Sequence, residues 1–236
     1  MINSVRNTVL AIINKNNYGY ISPSDFNLFA KQAQLDLFDE YFVQYNQQIN
    51  EENSRVSGTG YADIKKGYEE VIDYFSKFAT LTPNTVNVYT LPSDYYLINQ
   101  ISCFTGGQLQ GEAEKVSSSK INLLNKSLLT SPSSLYPAYT QSGNSITVYP
   151  NTFAGAQDVK ATYIRYPLDP KWTFTTISNG SPIFDQSQSD YQDFELPLDD
   201  SNDLVAKILQ YAGISIREAD VFKFGQIEEQ SQNQQQ

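Results

Sequence analysis

Apolar residues recur at helical spacing over the first 80 positions, alternate through much of the next stretch, and return to a helical period after position 200. Val5, Val9, Ile12 and Ile13 predict a short amphipathic helix that ends in Asn14-Lys15-Asn16-Asn17-Tyr18-Gly19. Ser22-Pro23-Ser24-Asp25 then reads as a helix start. Ser22 is the N-cap, Pro23 occupies the first turn, and Asp25 takes the reciprocal capping position. Phe26, Phe29, Ala33, Leu37, Phe38, Tyr41, Tyr45 and Ile49 mark a long helix to about Asn50, with an apolar stripe wide enough for more than one neighbour. After a polar connection through Gly60, Tyr61, Ile64, Tyr68, Val71, Ile72, Phe75 and Phe78 predict a third helix to about Ala79. Residues 1–80 are therefore expected to form a helical bundle.

From Leu81 the period becomes that of strands. Thr85–Thr90 alternates, Leu91-Pro92-Ser93-Asp94 turns into the run Tyr95–Phe104, and Gly106-Gly107 is a hairpin signal. A short helix is predicted over Ser119–Leu129, with Ile121, Leu124 and Leu128 inward and Ser117–Ser119 offering caps. Tyr136–Thr140, Ser145–Tyr149 and Val159–Tyr166 are further strands, with Ser142-Gly143-Asn144 as a tight turn. Residues 81–175 should thus be an antiparallel β-domain interrupted by one helix. Its last stretch, YPLDPKWTF, carries the single tryptophan, Trp172, which is expected to pack on that domain's own face or else to anchor a partner. Residues 175–193 look like surface loop.

The stretch Phe194–Gly225 gathers the C-terminal part. Phe194-Glu195-Leu196-Pro197 is a short extended entry, Asp199-Asp200-Ser201 supplies cap chemistry, and Leu204, Val205, Ile208, Leu209 and Ala212 follow at helical spacing. Gly213 stands where a left-handed C-cap would end that helix. The region 176–224 is read as an acidic loop and a helix that returns to the bundle. The remaining residues 225–236 hold six glutamines and form a polar arm, expected to be flexible alone and to order by docking on a neighbour. Deleting that arm should leave the fold intact and weaken assembly. The fold class is α+β.

Charge and composition narrow the chemistry. The net charge of −10 is uneven: −3 over residues 1–80, +1 over 81–175 and −8 over 176–236. No basic patch is available to grip phosphates, so direct nucleic-acid binding is not expected. The chain has no histidine and one cysteine, Cys103, in the apolar run Ile98–Phe104. That removes Ser–His and Cys–His nucleophile activation and leaves Cys103 as a small buried hydrophobe. Asn14–Asp25 has the outline of a calcium loop, but position five is Tyr18, no early position is a carboxylate, and the terminal Glu is absent. Carboxylate pairs are the remaining catalytic resource. Asp193 and Glu195 flank Phe194 and would share a strand face, as a dyad or a metal pair would, while Asp199 and Asp200 are accounted for by a helix start. No catalytic, metal or cofactor site is assigned. No secretory signal and no apolar run of about 18 residues is present, so neither export nor a membrane span is expected.

Four stretches, taken together and in order, resemble a known family: NKNNYGYISPSDFNLFAKQAQLDLFDEYF, LPSDYYLI, YIRYPLDPKW and FELPLDDSNDLVAKILQYAGISIRE. They are similar to head–tail connector or ring proteins of short-tailed phages, most of all those of crAss-like phages, and more widely to podoviral tail-tubular adaptors. The resemblance implies a helical part plus a β-domain, in a structural virion protein of the neck or tail made in the bacterial cytoplasm. It also implies a cyclic ring, commonly of about twelve subunits, that stacks below the portal, meets other tail or ring proteins and extends a channel through which DNA passes without specific binding. The family contributes no catalytic residue. Trp172, Phe222, Phe224 and Ile227 are the candidate interaction residues. A carbohydrate- or receptor-binding tail module and a carboxylate-based hydrolase are the competing readings.

Overall fold

The computed structural model describes residues 1–14, 20–54, 70–176, 180 and 182–216. Two compact units emerge, one formed by Met1–Val71 with Pro167–Gln236 and the other by Ile72–Tyr166. The α+β class holds.

The first unit contains α1 (Ile2–Asn14), α2 (Pro23–Ser54) and the C-terminal helix, here α4 (Ser201–Ile216). Ser22 caps α2 as its sequence implies: its hydroxyl accepts the Asp25 N–H at 3.2 Å and donates to the Asp25 carboxylate at 2.7 Å. The buried positions of α2, Phe26, Ala30, Ala33, Leu37 and Phe38, lie on one stripe, which meets buried Leu204, Ile208, Leu209 and Ala212 of α4. The two helices run antiparallel, with polar pairs along their seam: Tyr211 to Asp36, Lys207 to Glu40 at 3.2 Å, and Tyr41 to Asp200, which lies in the 3-10 turn Leu198–Asp200 ahead of α4. Gly213 does not end α4. The helix continues to Ile216 with Gly213 itself buried, so packing of the apolar face overrides a glycine penalty of about 1 kcal/mol.

In the second unit, β1 (Ser76–Thr80), β2 (Thr82–Thr85), β3 (Val88–Thr90), β4 (Tyr95–Thr105), β5 (Gln108–Lys115), β6 (Ala138–Ser142), β7 (Ser145–Tyr149) and β8 (Val159–Arg165) form one sheet in the order β1-β8-β4-β5-β6-β7-β3-β2. The end strands β1 and β2 are successive stretches of chain joined at Leu81, so the sheet curls back on itself. Its interior holds Leu81, Tyr89, Ile101, Cys103, Ile146, Val148, Phe153, Val159 and Tyr163. Cys103 is fully buried there, and burial pushes its thiol up to about 12. Gly106 and Gly107, at φ of 60° and 84°, make the β4–β5 hairpin that their dipeptide predicts, and Gly143 at 56° makes the β6–β7 turn.

Four expectations are corrected here. The third helix ends at 74, and Ser76–Thr80 pairs with β8 over five registers. Phe75 and Phe78 fit helical spacing equally well, but Phe75 is buried in the turn that ends the helix and Phe78 is exposed on β1. The sheet is mixed rather than antiparallel, because β5 and β6 pair in parallel; the inserted helix, α3 (Ser118–Leu124), supplies the crossover that parallel pairing needs. That helix stops at Leu124, and Leu128 points to solvent instead of inward. The surface loop after Phe174 contains a hairpin of β9 (Phe174–Thr176) and β10 (Pro182–Phe184). The outline of a calcium loop, the start of the third helix and the arm 225–236 fall partly or wholly outside the described residues.

Candidate functional site

The stretches that carry the family resemblance within the helical unit meet along one face of α2. Three side chains spaced at i, i+4 and i+7 project from it: Asn27, Lys31 and Gln34. Asn27 pairs both ways with the backbone of Trp172, its Oδ1 accepting the N–H at 2.8 Å and its Nδ2 donating to the carbonyl at 3.2 Å. Lys31 meets Asp169 at 2.7 Å. Gln34, 1% exposed, donates to the Leu168 carbonyl at 2.8 Å and accepts the Glu195 N–H at 3.0 Å. The segment 168–172 therefore runs along α2 in the opposite sense, and Gln34 ties it to the segment 192–195.

Those two segments also hold each other. Lys171 and Gln192 exchange backbone hydrogen bonds at 2.8 and 3.2 Å, and the Leu168 N–H donates to Glu195 Oε2 at 2.7 Å. Asp193 carries the clamp to α1. It accepts the Met1 amine at 2.6 Å, the Ile2 N–H at 2.6 Å and the Phe194 N–H at 2.9 Å, so a residue distant in sequence caps this helix. Burial alone would raise the Asp193 carboxyl; these donors outweigh it and hold the group below the usual carboxylate range. Asp200 goes the other way. Its burial raises it, and neighbouring Asp203, Asp199 and Glu40 add to that, against the Tyr41 hydrogen bond.

The carboxylate dyad that the Asp193/Glu195 spacing would allow is not assembled. Each carboxylate is turned to a different set of backbone donors, Asp193 to the start of α1 and Glu195 to Leu168. Among the described residues no group of three or more potential metal-ligating side chains forms. Trp172 is a further correction. It is buried in the helical unit, not on the β-domain, because Asn27 pins its backbone and its ring is surrounded there. Its indole N–H donates to Asn3 Oδ1 at 3.0 Å, the Arg6 guanidinium lies 3.8 Å from the ring centroid, and Phe174 and Phe184 stack at 5.6 and 6.0 Å. It is spent on the interior and offers no surface anchor. Phe222, Phe224 and Ile227 lie outside the described residues.

Asn3, Asn27 and Gln34 were not singled out from sequence, although a glutamine beside Ala33 on a buried stripe is a legible anomaly. A second overlooked feature lies in the β-unit. Residues 123–136 display Leu123, Leu128, Leu129, Leu135 and Tyr136, each at least 66% exposed. No helix among the described residues is long and apolar enough to cross a membrane. No protein-family model matches the chain, and no match is found among curated proteins.

Proposed function

We propose that this chain is a non-enzymatic virion protein: one subunit of a head-to-tail connector ring that stacks below a phage portal and extends the DNA channel. The observation that carries the reading is the ordered set of family-like stretches, and the fate of their polar groups supports it. Ser22 and Asp25, Asn27, Gln34, Leu168, Trp172 and Glu195 all hold helices and extended segments together, and Asp193, just ahead of the last stretch, does the same. Stretches used in this way serve a frame. The Asp193 and Glu195 carboxylates, the pair that a hydrolase reading would use, accept backbone donors.

Charge favours the same reading. A conduit must pass DNA without gripping it, and an acidic wall repels phosphate where a basic one would hold it. The −8 on residues 176–236 suits such a wall. Negative-stain microscopy of the purified chain with its portal, and of assembled particles, is the test. Rings or a discrete collar are expected. A chain that stays monomeric and fails to join a portal sinks the proposal.

A further inference from the structure

The five exposed apolar residues of 123–136 sit on an ordered element. Ile121 and Val116 anchor it to Ala138 from below, with Leu124 and Tyr149 packed alongside. Its backbone is closed by its own turns, Asn125 to Ile121 at 2.9 Å, Ser131 to Ser127 at 3.0 Å, and Ser133 and Tyr136 in both directions at 3.2 Å. The returning chain lies tightly on β5, where a Cβ on Gly111 would stand 2.5 Å from the Leu135 carbonyl oxygen. Leu128 and Leu129 are almost fully exposed on top of this platform, at 103% and 97%. Apolar side chains fixed in that way mark a contact surface.

The charge of the element says which chemistry would complement it. Residues 115–157 contain Lys115, Lys120 and Lys126 and no acid, so they carry +3 in a chain of −10, which leaves −13 on the rest. The complement of a basic, leucine-tipped element is an exposed apolar surface with acids beside it, and the helical unit exposes two such leucines. Leu168 and Leu198 are 50% and 76% exposed, with exposed Asp199 next to Leu198 in sequence and Asp169, paired with Lys31, next to Leu168. The Leu168 N–H donates to the carboxylate of Glu195, three residues before Leu198.

We propose that the 123–136 tip of one copy docks on the exposed Leu168 and Leu198 of the next, with Lys126 facing Asp199. The contact joins two different faces, so it repeats head to tail and closes into a ring or grows into a filament. It deepens the connector reading and rests on the self-association that reading requires.

The test uses the purified full chain with photoreactive benzoylphenylalanine in place of Leu129, followed by native mass spectrometry and mapping of the cross-links. Cross-links from position 129 into 165–203 of a second copy are expected. The double substitution Leu128→Asp with Leu129→Asp should weaken self-association by about ten-fold or more with an unchanged far-UV spectrum. Asp199→Lys should weaken it too, and adding Lys126→Asp should restore part of the loss. Rings whose cross-links fall elsewhere overturn the docking site and leave the connector reading standing. A chain monomeric at every concentration, with or without portal, removes both. Cross-linking to lipid, with co-sedimentation on anionic vesicles lost in the double variant, would make the tip a membrane contact and overturn the proposal.

Discussion

The two units solve the same problem with different materials. In the β-unit, order comes from an apolar interior enclosed by a curled sheet, and its polar atoms serve mainly as ladder bonds and turns. In the helical unit, α1, α2 and α4 also bury an apolar face, but two extended segments have no sheet to join. Apart from the Lys171–Gln192 pair, their backbone groups lean on side chains, among them Asn27, Gln34, Asp193 and Glu195. A buried peptide group left unpaired costs about 1–3 kcal/mol, so each of these side chains holds a position that no apolar residue of the same size can fill. The sheet should therefore tolerate changes of shape within its apolar set, and the clamp should not tolerate changes of hydrogen-bonding pattern.

The largest effect that separates the units is expected at Trp172. Trp172→Ala should cost about 3–5 kcal/mol, as large aromatic truncations do, and leave the Asn3 amide and Arg6 without the ring. Ile101→Ala in the sheet should fall in the range of about 2–5 kcal/mol, but Ile101→Val under about 1.5 kcal/mol. Urea unfolding followed by circular dichroism reads all three. A Trp172→Ala variant as stable as the parent would mean the clamp is not the keystone of its unit.

Next in size is Gln34. Gln34→Ala unpairs the Leu168 carbonyl and the Glu195 N–H together, at an expected cost of about 2 kcal/mol or more. Gln34→Glu sharpens the comparison, since it keeps the shape but replaces the donor with an acceptor facing the Leu168 carbonyl. It should be no better than Ala at neutral pH. Trp172, the single tryptophan, sits in the clamp, so its fluorescence reports the unfolding of that unit directly. If Glu retained full stability, the hydrogen-bonding pattern would not be what holds the segments.

How far such features were legible depends on the range of the interaction that fixes them. Ser22 with Asp25, the Gly106-Gly107 turn and the Ser117 cap are settled within four residues, and each was legible in the sequence. The clamp was not. The partners Asn27–Trp172 and Ile2–Asp193 are 145 and 191 positions apart, and neither residue type has a periodicity that betrays a distant peptide group. For Phe75 and Phe78 the local signal was ambiguous, and pairing of β1 with β8 decided the conformation. Leu128 was misread for a related reason: helical spacing continues past Leu124, but the helix does not.

Two aspartates in the helical unit should respond to pH in opposite senses. The folded Asp193 carboxyl lies below its unfolded value, so its contribution is fully present above about pH 4 and is lost as pH falls through the depressed folded value. Asp193→Asn should cost on the order of 1 kcal/mol at pH 7, a modest figure because the side chain is 35% exposed, and the gap to the parent should shrink in acid. Asp200 is raised in the folded state, so its charge opposes folding at pH 7 and that opposition is relieved below about pH 4. Asp200→Asn should be neutral or mildly stabilising at pH 7, with any gain vanishing in acid. Parallel pH dependence of the two variants would contradict the capping role of Asp193.

The smallest expected effect on stability lies at the tip of the β-unit, and it separates folding from contact. Leu128 and Leu129 are almost wholly exposed, so Leu128→Ser and Leu129→Ser should each change the unfolding free energy by less than about 0.5 kcal/mol. Ile121→Ala, one turn into the platform beneath, should cost about 2 kcal/mol or more because that side chain is 3% exposed. The pairing matters for the docking argument. A hydrophobe retained for folding loses stability when removed, whereas one retained for contact loses only association. Leucines at 128 and 129 whose replacement weakened self-association and left urea unfolding unchanged would belong to the second kind. A stability loss comparable to that of Ile121→Ala would instead place them in the fold of the free chain and withdraw them from the interface.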